Sequence, residues 1–507
     1  MRLKIASRSS DLARWQAYRV GEAIQSAHPE IEIEYFFKSS FGDQNLDLPL
    51  AQMESKGVFT QDFYLDLKEG RQDLVVHSWK DLPVEEREGT EIAATLDRAD
   101  VRDIFLVPKH IWKQAQEGET LKILTSSPRR IFNLENELPE LLPEFSGKIS
   151  FVPVRGNIPS RLGKMFKENA GLILAKAAFD RMLTGGREEF DSVKSEVRKH
   201  LSECHFMVLP LEINPSAPAQ GALAIEIASH REDLKEILSK INDPKCFMNV
   251  EIEREILKAH GGGCHQKIGV THLTKTFGVY HIERGESENG ISIDRKELLK
   301  ERPNISFKTL KKSEVFPWDP SENSWFDRKP LALSSEKLSG KAVLVARFAE
   351  GLEGLDRAQQ VWTSGLKTWK KLALEGFWVN GCFEGFGEQE IEWVGPVAEG
   401  FSWIKLTHEG GDAPEGIEKL AYYKLDAKSS ALPDLKGKKA FFWMSSSSFE
   451  KAYELYPAEI SEGFHACGPG RTFDHLSQQS VLKHPPEVFI SLGEFHDFLK
   501  RNGLSQS

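Results

Sequence analysis

A chain of 507 residues with 66 basic and 76 acidic side chains and a formal net charge of −10 is too long for one hydrophobic core; at roughly 100–200 residues per domain it implies three to five. The acidic balance excludes an overall basic surface for nucleic acid, so anion binding has to come from local arginine clusters, and no run of about 18 apolar residues marks a membrane span or a signal peptide. Five widely spaced cysteines, Cys204, Cys246, Cys264, Cys382 and Cys467, fit neither a disulfide framework nor a zinc site, which points to a reducing, cytoplasmic compartment.

Residues 3–5, 12–23 and 31–37 predict strand, helix and strand in succession. Residues 73–77, 121–124 and 171–175 predict short buried strands, each followed by polar side chains. Alternation of this kind predicts α/β domains, in which functional groups collect beyond the carboxyl ends of the strands. The side chains to read for chemistry are therefore Ser78, Lys80 and Asp81; Thr125, Ser127, Arg129 and Arg130; Lys176 and Arg181. From about 249 to 260, Val250, Ile252, Ile256 and Leu257 recur among charged residues in the pattern of an amphipathic helix, and Gly261 follows where a left-handed cap ends such a helix. Three glycines, Gly261 to Gly263, precede Cys264. They leave two readings open: a helix cap beside a small buried hydrophobe, or a reachable thiol on a turn, able to hold a covalent group. Residues 304–339, rich in Lys, Pro, Ser and Trp, predict an interdomain connection. Beyond it, strands expected at 342–346, 360–363, 402–406, 440–444 and 488–490 mark a second α/β unit beginning near Lys341.

Arginines recur where turns would face a ligand: Arg8, the pair Arg129 and Arg130, then Arg155 and Arg161. Guanidinium forks match carboxylates bidentately, so converging arginines in an acidic protein point to a polycarboxylate ligand, although a lone surface arginine is usually only solvated. Asp81 adds a carboxylate after a buried strand, either as a functional group or as a turn cap and partner of Lys80.

In order, His77-Ser78-Trp79-Lys80-Asp81, Thr125-Ser126-Ser127-Pro128-Arg129-Arg130, Arg155-Gly156-Asn157 and Gly262-Gly263-Cys264 resemble the aspartate motif, twin-arginine turn, substrate loop and cofactor-attachment loop of the hydroxymethylbilane synthases, also called porphobilinogen deaminases. The resemblance covers residues 1 to about 310. It implies two periplasmic-binding-protein-like α/β lobes, 1–103 with 200–228 and 104–199, and a small α+β cofactor-carrying domain, 229–310. It further implies a dipyrromethane cofactor on Cys264 through a thioether, with Asp81 catalytic. Ser78, Lys80, Thr125, Ser127, Arg129 and Arg130 would hold the cofactor, and Arg8, Arg155, Asn157, Arg161 and Arg181 the substrate porphobilinogen. Residues 40–59 resemble the family's active-site lid, with Lys56 and Phe59 near the pyrroles; Phe41 and Glu54-Ser55 depart from its usual arginine and Gly-Gly pair, and Trp79 and Pro128 are also atypical.

After a connection at 311–340, residues 341–507 resemble a shortened uroporphyrinogen-III synthase. The segments Trp362-Thr363-Ser364-Gly365 and Met444-Ser445-Ser446-Ser447, each between a strand and a helix, and the loop Cys467-Gly468-Pro469-Gly470-Arg471-Thr472 carry this resemblance. It implies ring closure of hydroxymethylbilane, with Ser446, Ser447 and Thr472 as contacts; a degenerate domain kept for docking or stability is the alternative. The competing class for the whole chain is a noncatalytic two-lobed anion receptor, which needs neither Cys264 nor a ligand-facing Asp81 and would carry an export signal. No metal, nucleic acid, membrane or obligatory protein partner is expected.

Overall fold

The computed structural model describes residues 1–39, 61–85, 87–262, 266–303, 305, 307, 309–388, 391–429 and 432–505. Its first sheet has the order Glu32–Lys38, Arg2–Arg8, Leu74–Ser78, Leu223–Ala228, Thr90–Ala94. The first three strands run parallel; Leu223–Ala228 is antiparallel to both neighbours. A second sheet repeats the plan with Ile149–Val152, Leu121–Leu124, Gly171–Ala175, Asp103–Pro108 and Cys204–Val208. Strands such as Gly171–Ala175 and Asp103–Pro108 are buried along their whole length, as expected of strands covered on both faces. The chain passes from the first sheet to the second through 95–102 and returns through 209–222. These two crossovers form the hinge between the lobes.

The helix Pro244–Ala259 packs on a three-stranded antiparallel sheet, Gly269–Lys275, Gly278–Glu286 and Ser292–Leu299. The C-terminal region holds two more sheets. One has six strands: Phe326–Pro330, Glu418–Ala427, Trp403–His408, Ala342–Val345, Gln360–Thr363 and Gly381–Cys382. The other has four parallel strands: Val315–Phe316, Ala440–Trp443, Phe464–Cys467 and Glu487–Val488. The stretch expected as a mere connection thus supplies an edge strand to each sheet, Val315–Phe316 to the smaller and Phe326–Pro330 to the larger. Its few apolar residues escape a periodicity search because one strand is two residues long and the other is a mostly exposed edge.

The two halves of the chain share a core. Phe105, Ile111 and Trp112 of the second lobe lie in one apolar cluster with Val343, Trp369 and Leu372 of the six-stranded unit. Val208 N donates to Asn380 O at 2.8 Å, Trp378 Nε1 to Phe206 O at 2.8 Å and Trp369 Nε1 to Leu141 O at 3.1 Å. Burial of large aromatics with their N–H groups paired is what an obligate interface requires.

Candidate functional site

Strand Leu121–Leu124 delivers the chain to Thr125, which is buried, and Ser127 caps the helix Pro128–Leu134 by accepting from Arg130 N at 3.5 Å. Pro128 at the first helical position has its backbone angle preset for the turn. The helix therefore starts at once and carries Arg129 and Arg130 in its first turn, both buried. Asp103, at the start of strand Asp103–Pro108, meets both. Arg129 Nη2 donates to its Oδ2 at 2.8 Å; Arg130 Nε donates to Oδ2 at 2.9 Å and Nη2 to Oδ1 at 2.7 Å. Arg129 Nη1 also reaches Asn214 Oδ1 at 3.0 Å, and Asn214 Nδ2 returns to Asp103 at 2.8 Å. Burial alone would raise the Asp103 carboxyl; the guanidinium groups of Arg130 and Arg129 hold it far below the carboxylate range. Burial lowers Arg129, with Asp103 opposing. One carboxylate against two arginines leaves a net positive charge, the state that suits an anionic ligand.

Strand Leu74–Ser78 ends in the tight turn Trp79–Asp81, and Trp79 is buried against Phe247 with ring centroids 5.0 Å apart. That anchor leaves Asp81 exposed at the turn. Lys80 Nζ donates to Gln220 Oε1 at 3.2 Å, and Gln220 Nε2 donates to Asp103 Oδ1 at 2.9 Å, so Lys80 joins the arginine pair through one amide. Burial lowers the Lys80 ammonium to about 8, with the Asp81 carboxylate opposing. Arg161 Nε donates to Gly156 O at 2.7 Å. Its guanidinium is lowered by burial and then by Arg130, while Asp81 raises it and Arg155 lowers it. Arg161, Arg130, Arg155, Lys80 and Asp81 therefore share one electrostatic neighbourhood. Gly156, at φ +118°, brings the backbone close: a Cβ there would lie 2.2 Å from Ser160 Oγ.

Other expected residues have partners within the fold. Asn157 Oδ1 caps the helix Ile158–Lys167, accepting from Ser160 N at 3.0 Å. Ser78 exchanges hydrogen bonds with Gln16 at 2.9 and 3.2 Å. Arg181, on the helix Lys176–Thr184, donates to Gly221 O of the return crossover at 2.7 Å and lies over the Trp15 ring at 5.7 Å. Lys176 is buried between Asp180 and Asp100. Arg8 closes the first strand. Cys264, Lys56 and Phe59 lie outside the described residues; ahead of Cys264 the helix ends at Ala259, and Gly261 and Gly262 take φ of +100° and +71°. Sequence reading passed over Asp103, Asn214 and Gln220. An aspartate opening the apolar run Asp103–Pro108 was the available signal, since a buried charge demands partners.

In the C-terminal region, Ser364 precedes the helix Leu366–Leu374 and Ser445 caps the helix Ser446–Leu455, accepting from Ser448 N at 3.2 Å. Ser446 and Ser447 are half-buried at that helix start, and Thr472 is half-buried in the first turn of Arg471–Ser477. The two units meet where Gly387 faces Gly470, a Cβ on either lying 2.9–3.0 Å from the other's Cα. Around this meeting stand Arg347, donating to Met444 O at 3.0 Å, Lys405, paired with Glu388, and Arg471, paired with Asp412. Ser364 Oγ donates to Glu388 at 2.9 Å. The cations were missed although Arg347 and Arg471 follow buried strands, the rule that picked out Arg129.

Residues 3–236 match the family profile for porphobilinogen deaminase, dipyromethane cofactor binding domain. The chain is 32% identical over 289 residues to a porphobilinogen deaminase of Burkholderia orbicola, covering 57% of this chain and 79% of that protein. It is 36% identical over 263 residues to one of Syntrophomonas wolfei, covering 52% and 78%, and 36% over 264 residues to one of Neisseria meningitidis, covering 52% and 76%. The chain belongs to the porphobilinogen deaminase family. Its cofactor is accordingly the dipyrromethane that the matched domain binds. The residues present suit it: Arg130 spends three of its five N–H groups on Asp103 and Ile173 among the described residues, leaving donors for ligand carboxylates. Among the described residues of this deaminase-family chain no His, Cys, Asp and Glu group is placed to hold a metal ion, and no helix is long and apolar enough to cross a membrane.

Proposed function

We propose that the first half of the chain condenses porphobilinogen units with loss of ammonia, and that the second half closes the resulting hydroxymethylbilane. The observation that carries the first reading is the Asp103-anchored pair Arg129 and Arg130, bridged by Gln220 to Lys80 beside the exposed Asp81. When bound on Cys264, dipyrromethane supplies the free pyrrole α-carbon from which the product is extended. Arg129, Arg130 and Lys80 hold acetate and propionate groups, Arg155 and Arg161 orient the incoming substrate, and Asp81 stabilises the cation left by ammonia departure and takes up the pyrrole proton. Fixed charge aimed at a developing cation is commonly the largest catalytic contribution.

The second reading is supported by the strand–Ser–helix turns at Ser364 and Ser445 on two different sheets, and by Arg347, Lys405 and Arg471 around the Gly387–Gly470 approach. Cations contributed by both units suit a folded polycarboxylate, and holding its ends together supplies much of the barrier reduction for ring closure. Two measurements on the full chain test the proposal. Intact mass should show the cofactor in wild type and not in Cys264→Ser; equal masses apart from the side chain would refute the attachment. Chromatography of the oxidised products should show the type III isomer, turning to type I in Arg347→Ala with porphobilinogen consumption retained. Type I alone from wild type would leave the second half a structural appendage.

A further inference from the structure

The loop Cys382–Phe386 of the C-terminal region reaches both crossovers of the interlobe hinge. Arg102 Nη1 donates to Cys382 O at 2.8 Å and faces Glu384 Oε1 at 3.7 Å. On the return crossover, Leu211 N donates to Glu384 at 3.1 and 3.2 Å. Phe386 completes the grip, buried in one cluster with Val101 and Leu211 of the hinge and with Leu273, Tyr280 and Ile282 of the three-stranded sheet. Glu384 is a non-glycine residue at φ +53°, a conformation that side chains with a Cβ rarely hold unless the surroundings over-determine it.

Arg102 is adjacent to Asp103, and Leu211 lies three residues before Asn214; Asp103 and Asn214, together with Pro215 O, aim Arg129. Gln220, on the same return crossover, donates to Val101 O at 2.7 Å and to Asp103 at 2.9 Å while accepting from Lys80. The hinge backbone is therefore also the mount of the arginine pair. We infer that Glu384 and Phe386 are positioning residues for the deaminase reaction: the C-terminal region clamps the interlobe hinge and so fixes the frame on which Arg129, Arg130 and Lys80 are aimed. This rests on the reading that those cations hold ligand carboxylates. A hinge clamp matters for a site that must accept a product several rings long, because the lobes have to keep register as it lengthens; small misplacement of positioning groups is costly to rate.

The test uses the full chain carrying its cofactor. Glu384→Gly removes the carboxylate while suiting the left-handed backbone, so the fold is spared. Burial raises the Glu384 carboxyl to about 7, with Arg102 opposing, so the neutral acceptor of Glu384→Gln is a close stand-in and should rescue. Phe386→Leu is the second variant, trimming the contact to Val101 and Leu211 without polarity. In Glu384→Gly and Phe386→Leu, amide exchange of 99–103 and 209–214 should quicken by roughly tenfold. The rate constant kcat for porphobilinogen consumption should fall by about fivefold or more, with KM within about twofold of wild type, as expected when positioning rather than binding is lost. Glu384→Gln should stay near wild type in both. Unchanged hinge exchange and kcat in either folded variant would overturn the clamp. A failure of the underlying site reading is separately visible, as Arg129→Ala with wild-type cofactor load and turnover.

Discussion

Asp103 is fully buried and accepts from Arg129, Arg130, Asn214 and Gln220. Asp103→Asn keeps its shape but removes the carboxylate on which these four side chains converge, leaving two buried guanidinium groups facing an amide whose NH2 cannot accept. Breaking a buried ion pair from one side costs about 3–5 kcal/mol, which for the unit containing the second lobe lowers Tm on the order of 10 °C. The sign of the pH dependence follows from a folded-state value far below the unfolded one: the stabilisation is fully present above about pH 4 and fades as pH falls toward the folded value. Calorimetry of wild type and variant should therefore give a Tm gap that is constant from pH 8 to about pH 5 and narrows below about pH 4. Intact mass should show reduced cofactor load in the variant, since Arg129 and Arg130 lose their aim. A gap under about 2 °C at pH 7, or one that persists undiminished to pH 3, would refute the assignment of Asp103 as the anchor.

Asp81→Asn should keep the covalent cofactor and lose about 10²-fold or more in kcat, checked by intact mass and porphobilinogen consumption; retention of most of the rate would remove Asp81 from the mechanism. Lys80, lowered to about 8 by burial with Asp81 opposing, loses its charge as pH rises through that value, so activity should fall on an alkaline limb near pH 8. Below that limb its buried charge disfavours folding, a cost relieved between about 8 and the unfolded value of about 10.4. Lys80→Arg should move the limb upward; an unchanged limb in pH–rate profiles assigns it elsewhere. Trp369→Phe orphans Leu141 O, which now accepts from Trp369 Nε1, and should cost about 1–3 kcal/mol. Because the shared core spans both halves, calorimetry should show their unfolding shift together, whereas movement of a C-terminal transition alone would contradict a common core.

The strands that carry the first site were legible as short apolar runs, unbroken at 171–175 and interrupted at 121–124 only by the exposed Lys122, and the arginines were legible because they follow such runs. Their shared anchor was not, for Asp103 is separated from Arg129 by 26 residues and meets it only when antiparallel and parallel strands lie side by side in one sheet. Asn157 also has a local role that the sequence offered: an asparagine followed by Ile158-Pro159-Ser160 is a helix cap, and its Oδ1 accepts from Ser160 N. The edge strands within 311–340 left no periodic signal, and neither did the hinge contacts of Glu384, which lie 173 residues from Leu211 in sequence.

The strand Cys204–Val208 is the border of its own sheet, yet Val208 N and Phe206 O both find partners in 378–380. A border strand that depends on a distant segment for its hydrogen bonds becomes an adhesive rim once that segment is gone, ready to pair with any other strand. The two halves are consequently not interchangeable cassettes. Expressing the first half alone invites self-association along 204–208 unless charged side chains or a proline are introduced there to blunt the rim, and a protease nick between the halves would release neither, because hydrogen bonds from 369–380 and aromatic packing, not the peptide link, hold them together.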